Sequence, residues 1–271
     1  MSGRQLKPID RALPLIAVDI GNARTKVAVF CTRWPPPDPT DASSLPQPDR
    51  LITIDNDNAD WSALDDLPRP AHWSIGSVHR LTTTRLLGRL RERREDHSVT
   101  LLTVNDLPLP VDVEQPDRVG IDRLLGAVAG RRLREPDTPL VLVDVGTAVT
   151  IDYLTADGTF RGGLILPGLE MSARALHEFT DLLPPVETTY DRPPAVIGRS
   201  TEEAMQVGIF WSAVGAIQAV VTRLAKEGEP PPKVLLTGGG SAAMVQALAE
   251  AGIDAQRIGH LTLAGIALVE S

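Results

Sequence analysis

Cysteine is nearly absent from this chain. Cys31 stands alone among 271 residues, so neither an intrachain disulfide nor a thiolate metal cage can be built from it. No apolar run is expected to approach the ~18 residues that a membrane span needs. Ala12–Val18 comes nearest to the apolar segment of a signal peptide, but Asp19 ends it and no small-residue cleavage site follows. Basic residues are the minority, 27 Lys and Arg against 35 Asp and Glu, and the net charge of −8 disfavours broad binding to nucleic acid or anionic lipid. H-E-x-x-H, G-x-S-x-G and G-x-x-x-x-G-K-[ST] are all missing, which argues against zinc hydrolase, serine hydrolase and P-loop chemistry. The expectation is a soluble protein of a reducing, cytoplasmic compartment, with no nucleic-acid or membrane partner.

What is present points to an α/β chain. The length favours two domains, and the 42% hydrophobic content is ordinary for a packed core. Residues 1–13 read as an extension. Leu15–Ile20 is an apolar strand broken by Gly21-Asn22, and Thr25–Cys31 resumes as a second strand. Trp34–Pro48 holds six prolines and reads as an exposed loop. Strands are expected at Leu51–Asp55 and Trp73–Val78, and a helix at Leu81–Arg94 whose arginines, interleaved with acids, form a solvated face. Ile121, Leu124, Leu125, Val128 and Ala129 give the spacing of an amphipathic helix starting near Gly120. The polar stretch Arg131–Pro139 marks a domain boundary, dividing 14–135 from 136–271.

The second half reopens as the first did. LIAVDIGNART and LVLVDVGTAVT match at a constant offset of 125, with Leu15/Leu140, Val18/Val143, Asp19/Asp144, Gly21/Gly146, Ala23/Ala148 and Thr25/Thr150 identical. Six identities in register indicate a duplicated half and a nucleotide cleft flanked by the two Asp-x-Gly turns. Strands follow near Thr150–Leu154 and Phe160–Ile165, then helices at Leu169–Phe179 and from Ser200, where Ser200-Thr-Glu-Glu203 fits a capping box. Lys233–Thr237 is a late strand, and Gly238-Gly-Gly240 leads into a helix over Ser241–Ala251 that Ser241 is placed to cap.

A glycine two residues beyond a strand-end aspartate lets a ligand approach the backbone, whose free N–H groups suit phosphate oxygens. Asn22, Thr25 and Thr147 add side-chain donors. Asp19 and Asp144 would repel phosphate unless a cation intervenes, so both suggest bound cations. Asp122, at a helix start beside Arg123, reads either as a favourable helix-dipole charge or as the carboxylate that takes an alcohol's proton in phosphoryl transfer. Gly162-Gly163 and Pro167-Gly168 allow close packing or ligand approach. His79 and His177 are each isolated by spacing from other metal-type residues and read as surface or core histidines.

Asp19-Ile-Gly-Asn22 with Lys26, Gly120-Ile-Asp-Arg123, Asp144-Val-Gly-Thr-Ala148 with Thr150 and Asp152, Gly162-Gly163, Pro167-Gly168, Thr180, Leu183-Pro184, Gly198, Thr201, Gly208 and Leu236-Thr-Gly-Gly239 occur in one order along the chain. In this they resemble the type III pantothenate kinases, from Ile16 to about Leu268. The resemblance implies two duplicated actin-like, ribonuclease H-like domains flanking a nucleotide cleft. It also implies ATP-dependent phosphorylation of the pantothenate 4′-hydroxyl, the first step toward coenzyme A, in a homodimer. By resemblance Asp19, Gly21, Asn22, Thr25 and Lys26 bind ATP phosphates, Asp19 positions Mg²⁺, and Thr147 touches ATP. Asp122 is the proton acceptor, and Gly120, Ile121, Asp122 and Arg123 line the pantothenate pocket. Asp144 holds a monovalent cation, K⁺ or NH₄⁺, and Thr201 reaches pantothenate across the dimer interface. Val113 departs from the family pattern, which often has tyrosine three residues before the proline preceding Gly-x-Asp-Arg. A nucleotide-binding regulatory protein on the same fold is the alternative.

Overall fold

The computed structural model describes residues 13–31, 45–58, 60–92, 97–225 and 230–271. The expected extension over 1–13 and the proline-rich loop over 34–48 fall almost wholly outside them, as do Arg93 and Arg94.

Two five-stranded sheets carry the chain, and both are wired alike. In the first, β1 (Leu15–Ile20), β2 (Arg24–Phe30) and β3 (Arg50–Asp55) form an antiparallel meander, and β4 (His72–Ser77) and β5 (Ser98–Leu101) add in parallel beyond β1, in the order β3-β2-β1-β4-β5. In the second, β6 (Leu140–Val145), β7 (Ala148–Leu154) and β8 (Phe160–Pro167) form the meander, and β9 (Lys233–Thr237) and β10 (Ala255–Arg257) add in parallel, in the order β8-β7-β6-β9-β10. Written from the third strand outward the two orders coincide. That is the duplicated actin-like, ribonuclease H-like architecture.

One compact unit combines the described residues up to Pro108 with Gln115–Leu133 and Thr262–Ser271; the other comprises Leu109–Glu114 and Arg134–Leu261. In the first, β1 is buried along its whole length because helices cover both faces of its sheet. Ile16, Val18, Ile20, Val27, Val29, Trp73 and Ile75 pack under Leu86 and Leu90 of α1 (Arg80–Glu92). On the opposite face α2 (Ile121–Arg132) and α6 (Leu261–Val269) close over β4, where an added Cβ at Gly76 would sit 2.6 Å from the Leu125 side chain. α6 is apolar on every side. It is buried within the unit that begins the chain, and His72 Nε2 lies 3.2 Å from the Glu270 carboxylate just beyond it, both side chains almost fully buried. The two atoms are within ion-pair distance but are not aligned as a hydrogen bond.

In the second unit Val141, Val143, Val145, Val149, Ile151, Val234 and Leu236 form the sheet face beneath α3 (Leu169–Glu178), α4 (Thr201–Leu224) and α5 (Ser241–Glu250). The Ser200 hydroxyl accepts from the Glu203 N–H at 3.1 Å, while the Glu203 carboxylate reaches back to Arg199 N–H at 2.7 Å. Ser241, expected as the cap of α5, is instead its first helical residue; Gly240 is the cap. α4 revises the reading of apolar runs: over its 24 residues it is long and apolar enough to cross a membrane by length and composition alone. One of its faces, from Met205 through Ile209, Ala213 and Ile217 to Val221, is spent on the core.

Candidate active site

The turn after β1 is shaped by the residues that follow β3. Gly21 N–H donates to Arg24 O at 3.0 Å and closes the turn. Asn56, the first residue after β3, is buried, and its amide donates to Gly21 O at 2.8 Å and to Asn22 O at 3.1 Å. Its backbone N–H donates to Ala23 O at 2.9 Å. Three successive carbonyls are thereby drawn inward. Asn22 and Ala23 are exposed, and among the described residues their backbone N–H groups have no acceptor, the arrangement that receives an anion. Thr25 sits elsewhere than expected for a phosphate ligand. It is fully buried and gives its hydroxyl to Asn56 Oδ1 at 2.7 Å, so it shapes the turn from within.

Asp19 stands opposite Lys26 on β2 and opposite Gly76 on β4. Cross-strand neighbours share a face, and Gly76 shows which one: it lies under α2. Lys26 and the buried Asp19 therefore face the side on which α2 starts. Gly120 caps that helix, and any Cβ there would come 2.5 Å from Asp122 Oδ1, so glycine is what lets the carboxylate fold back over the helix start. Arg123 N–H donates to the same oxygen at 2.9 Å. Burial pushes the Asp122 carboxyl above its ordinary value, against the opposing pull of the Arg123 N–H and the Arg123 and Lys26 charges. A carboxylate made more basic by burial is suited to accept a proton. Ile121 does not line an open pocket. It is buried, and its side chain would touch an added Cβ on Gly76 at 3.8 Å.

The second unit repeats the turn with one residue fewer. Gly146 N–H donates to Ala148 O at 3.0 Å, where Gly21 reached three residues ahead. Asp144 consequently pairs with Thr150, whereas Asp19 pairs with Lys26. The sequence identities beyond Gly21 and Gly146 are thus at positions one step apart in the ladder. Gly168, the first residue after β8, donates its N–H to Thr147 O at 3.1 Å, and Thr147 is exposed. Asp144 Oδ1 lies in a cradle of glycines, 2.6 Å from where a Cβ on Gly238 would sit and 3.7 Å from one on Gly146. Gly238 has φ +91°, which a side chain would also strain. Ser241 Oγ donates to Gly238 O at 2.7 Å and accepts from Arg257 Nε at 3.1 Å, bracing that turn. Thr201 is exposed at the start of α4, and Val113 is half-buried with its methyl group 3.6 Å from an added Cβ on Gly162. Among the described residues no three His, Cys, Asp or Glu side chains gather as a metal cage.

Sequence reasoning missed Asn56. A lone asparagine after a strand looks like any turn residue, and nothing in its spacing ties it to a loop more than 30 positions earlier.

The family model described as type III pantothenate kinase matches residues 15–223. A curated relative of that description from Rhodopirellula baltica is 43% identical over 166 residues, covering 60% of this chain and 58% of that protein. Another, from Chlorobaculum parvum, is 35% identical over 231 residues, covering 83% and 84%. Against several such relatives the chain spans between 50% and 61% of their length. A solved inorganic polyphosphate/ATP-glucomannokinase from Arthrobacter is similar with a TM-score of 0.44 and 11% identity, covering 94% of this chain and 97% of that one.

Proposed function

The chain belongs to the type III pantothenate kinase family, and from that membership we propose that it transfers the γ-phosphoryl group of ATP to the 4′-hydroxyl of pantothenate, the first step toward coenzyme A. The observation that carries the reading is Asp122: a carboxylate raised in basicity by burial, at a helix start, on the sheet face that Lys26 and Asp19 share. Phosphoryl transfer asks for alignment and charge stabilisation more than for covalent help. Asp122 takes the proton of the attacking hydroxyl, and Gly120 and Arg123 border the acceptor. The free N–H groups of Asn22 and Ala23 hold phosphate oxygens, and Lys26 offsets their charge. Thr147 supplies a hydroxyl to the nucleotide.

A divalent ion suits a site with one carboxylate and substrate phosphates, and Asp19 is the residue that would hold Mg²⁺, which would neutralise developing charge on the phosphates. The glycine cradle around Asp144 Oδ1 fits a monovalent cation, K⁺ or NH₄⁺, held by Asp144. A homodimer belongs to the same proposal. Phe179, Leu182, Val196 and Ile197, between α3 and the start of α4, are 71–87% exposed, an apolar surface that a second copy would cover and that lies close in sequence to Thr201. Val113, smaller than the tyrosine often found there in the family, would leave one pantothenate contact unmade.

The test is an ATP-to-ADP assay on purified protein with pantothenate, run in K⁺ and in Na⁺, with the product identified by mass. The reading expects phosphopantothenate, formed faster in K⁺. Absence of product in both, with ATP still bound, would refute it and leave a nucleotide-binding protein of another task. Equal rates in the two salts would remove the cation from Asp144.

A further inference from the structure

We propose that Asn56 is a positioning residue for the nucleotide phosphate: it holds the β1–β2 turn in the conformation that receives the anion. The inference rests on reading that turn as the phosphate loop. An asparagine side chain has two N–H donors and one carbonyl acceptor. At Asn56 all three functions are engaged on one loop, the donors by Gly21 O and Asn22 O and the acceptor by the Thr25 hydroxyl. The residue is 4% exposed, so these bonds form in a setting where an unmade one is costly. A peptide unit whose carbonyl is pinned inward turns the N–H of the next residue outward. Pinning Gly21 O and Asn22 O therefore fixes the N–H groups of Asn22 and Ala23 before any ligand arrives, and a preorganised donor set costs no rearrangement on binding.

The duplication supplies an internal comparison. In the second unit the first residue after the third strand is Gly168, which braces its loop through a single backbone N–H to Thr147 O at 3.1 Å. An added Cβ on Gly168 would lie 2.7 Å from the Thr147 carbonyl carbon, so the backbone itself fills the space that the Asn56 side chain takes in the first unit. The first turn, one residue longer, has a gap between loop and third strand that a side chain must span. Asn56 spans it. The same topological position thus supports the glycine turn in both halves, by a side-chain amide in one and by close backbone approach in the other.

Asn56→Ala and Asn56→Ser remove the amide and keep the backbone bond to Ala23. Affinity for Mg·ATP, measured by titration calorimetry without acceptor, is expected to fall at least ten-fold in both. In turnover, KM for ATP is expected to rise by a similar factor while KM for pantothenate stays within two-fold. Asn56→Asp, which keeps the shape and the bond from Thr25 but presents no N–H to either carbonyl, should behave like the other two. ATP affinity within two-fold of the parent in the variants that fold, or equal losses for both substrates, would overturn the proposal and make Asn56 a structural residue only. A parent protein that binds Mg·ATP but makes no phosphopantothenate would refute the kinase reading and leave the Asn56 measurement standing. A parent that binds no ATP would refute both.

Discussion

Gly88 in α1 and Gly265 in α6 are both helix-interior glycines, and alanine at the two sites should have opposite effects. At Gly88 an added Cβ meets nothing within 4 Å, so alanine only restricts the unfolded chain and raises helix propensity, a gain of about 0.5–1 kcal/mol. At Gly265 the same atom would lie 2.7 Å from the Leu125 carbonyl carbon and nearer still to its oxygen. Ordinary contact would require α6 to retreat from α2 by ~1 Å, and overpacking of that kind costs roughly 1–3 kcal/mol or more, only partly offset by propensity. The net expectation is a loss of about 2 kcal/mol at Gly265 and a gap of about 5–10 °C in Tm between the two variants. Denaturant and thermal unfolding of the purified variants read this directly. Because α2 also carries Asp122, Gly265→Ala should lower kcat while Gly88→Ala leaves it unchanged. A Gly265→Ala protein as stable as Gly88→Ala would refute the close approach of the two helices.

Asp122→Asn should reduce kcat by about 10²–10⁴-fold with ATP binding retained. The same variant should be more stable than the parent at neutral pH. The folded-state pKa of Asp122 is raised, so its stabilising contribution is present below the ordinary value of 3.8 and is lost as pH climbs through the raised one. The difference in Tm between Asn and Asp should therefore vanish in acid and open on the way to neutrality, and a constant difference would contradict it. The acid limb of the parent's kcat/KM profile should lie above the ordinary carboxylate range, for the same reason. Gly238→Ala adds positive-φ strain and sets a methyl group 2.6 Å from Asp144 Oδ1, so K⁺ activation should weaken and stability fall by about 2–4 kcal/mol, measured by salt titration and melting. Glu270→Ala leaves His72 buried beside a void and should cost about 3 kcal/mol in denaturant unfolding; a change under 1 kcal/mol would mean the pair contributes nothing.

The meanders of both halves were legible because Leu15–Ile20 and Leu140–Val145 are continuous apolar runs ended by Asp-x-Gly turns, and the repeat announced itself. β5 (Ser98–Leu101) and β10 (Ala255–Arg257) were not, being short, half-exposed strands at sheet edges with no apolar run. α6 escaped notice because a helix buried on every side shows no periodic contrast, only apolar residues. Of the proposed site residues, Asp19, Lys26, Asp122 and Asp144 were singled out from motif and repeat. What spacing could not convey is direction. Thr25 and Ile121 belong to motifs that also hold exposed Asn22 and half-buried Asp122, yet strand alternation and helix rotation turn these two inward. Asn56 required knowing that β3 ends against the β1–β2 turn, which is a fact of pairing and not of sequence proximity.

Thr262–Ser271 pack into the same unit as β1 to β5, which lie far ahead of them in sequence. During synthesis the ribosome therefore releases α1, α2 and the first sheet long before the piece that seals them. Until α6 emerges, the face of β4 under Gly76 and the inner side of α2 have no cover, and the Asp122 carboxylate sits on a helix not yet clamped. The middle unit, by contrast, has all its parts as soon as Leu261 has cleared the exit tunnel. Order of maturation then runs opposite to order of translation for the unit that carries Asp122, whose packing is complete only once α6 has joined it.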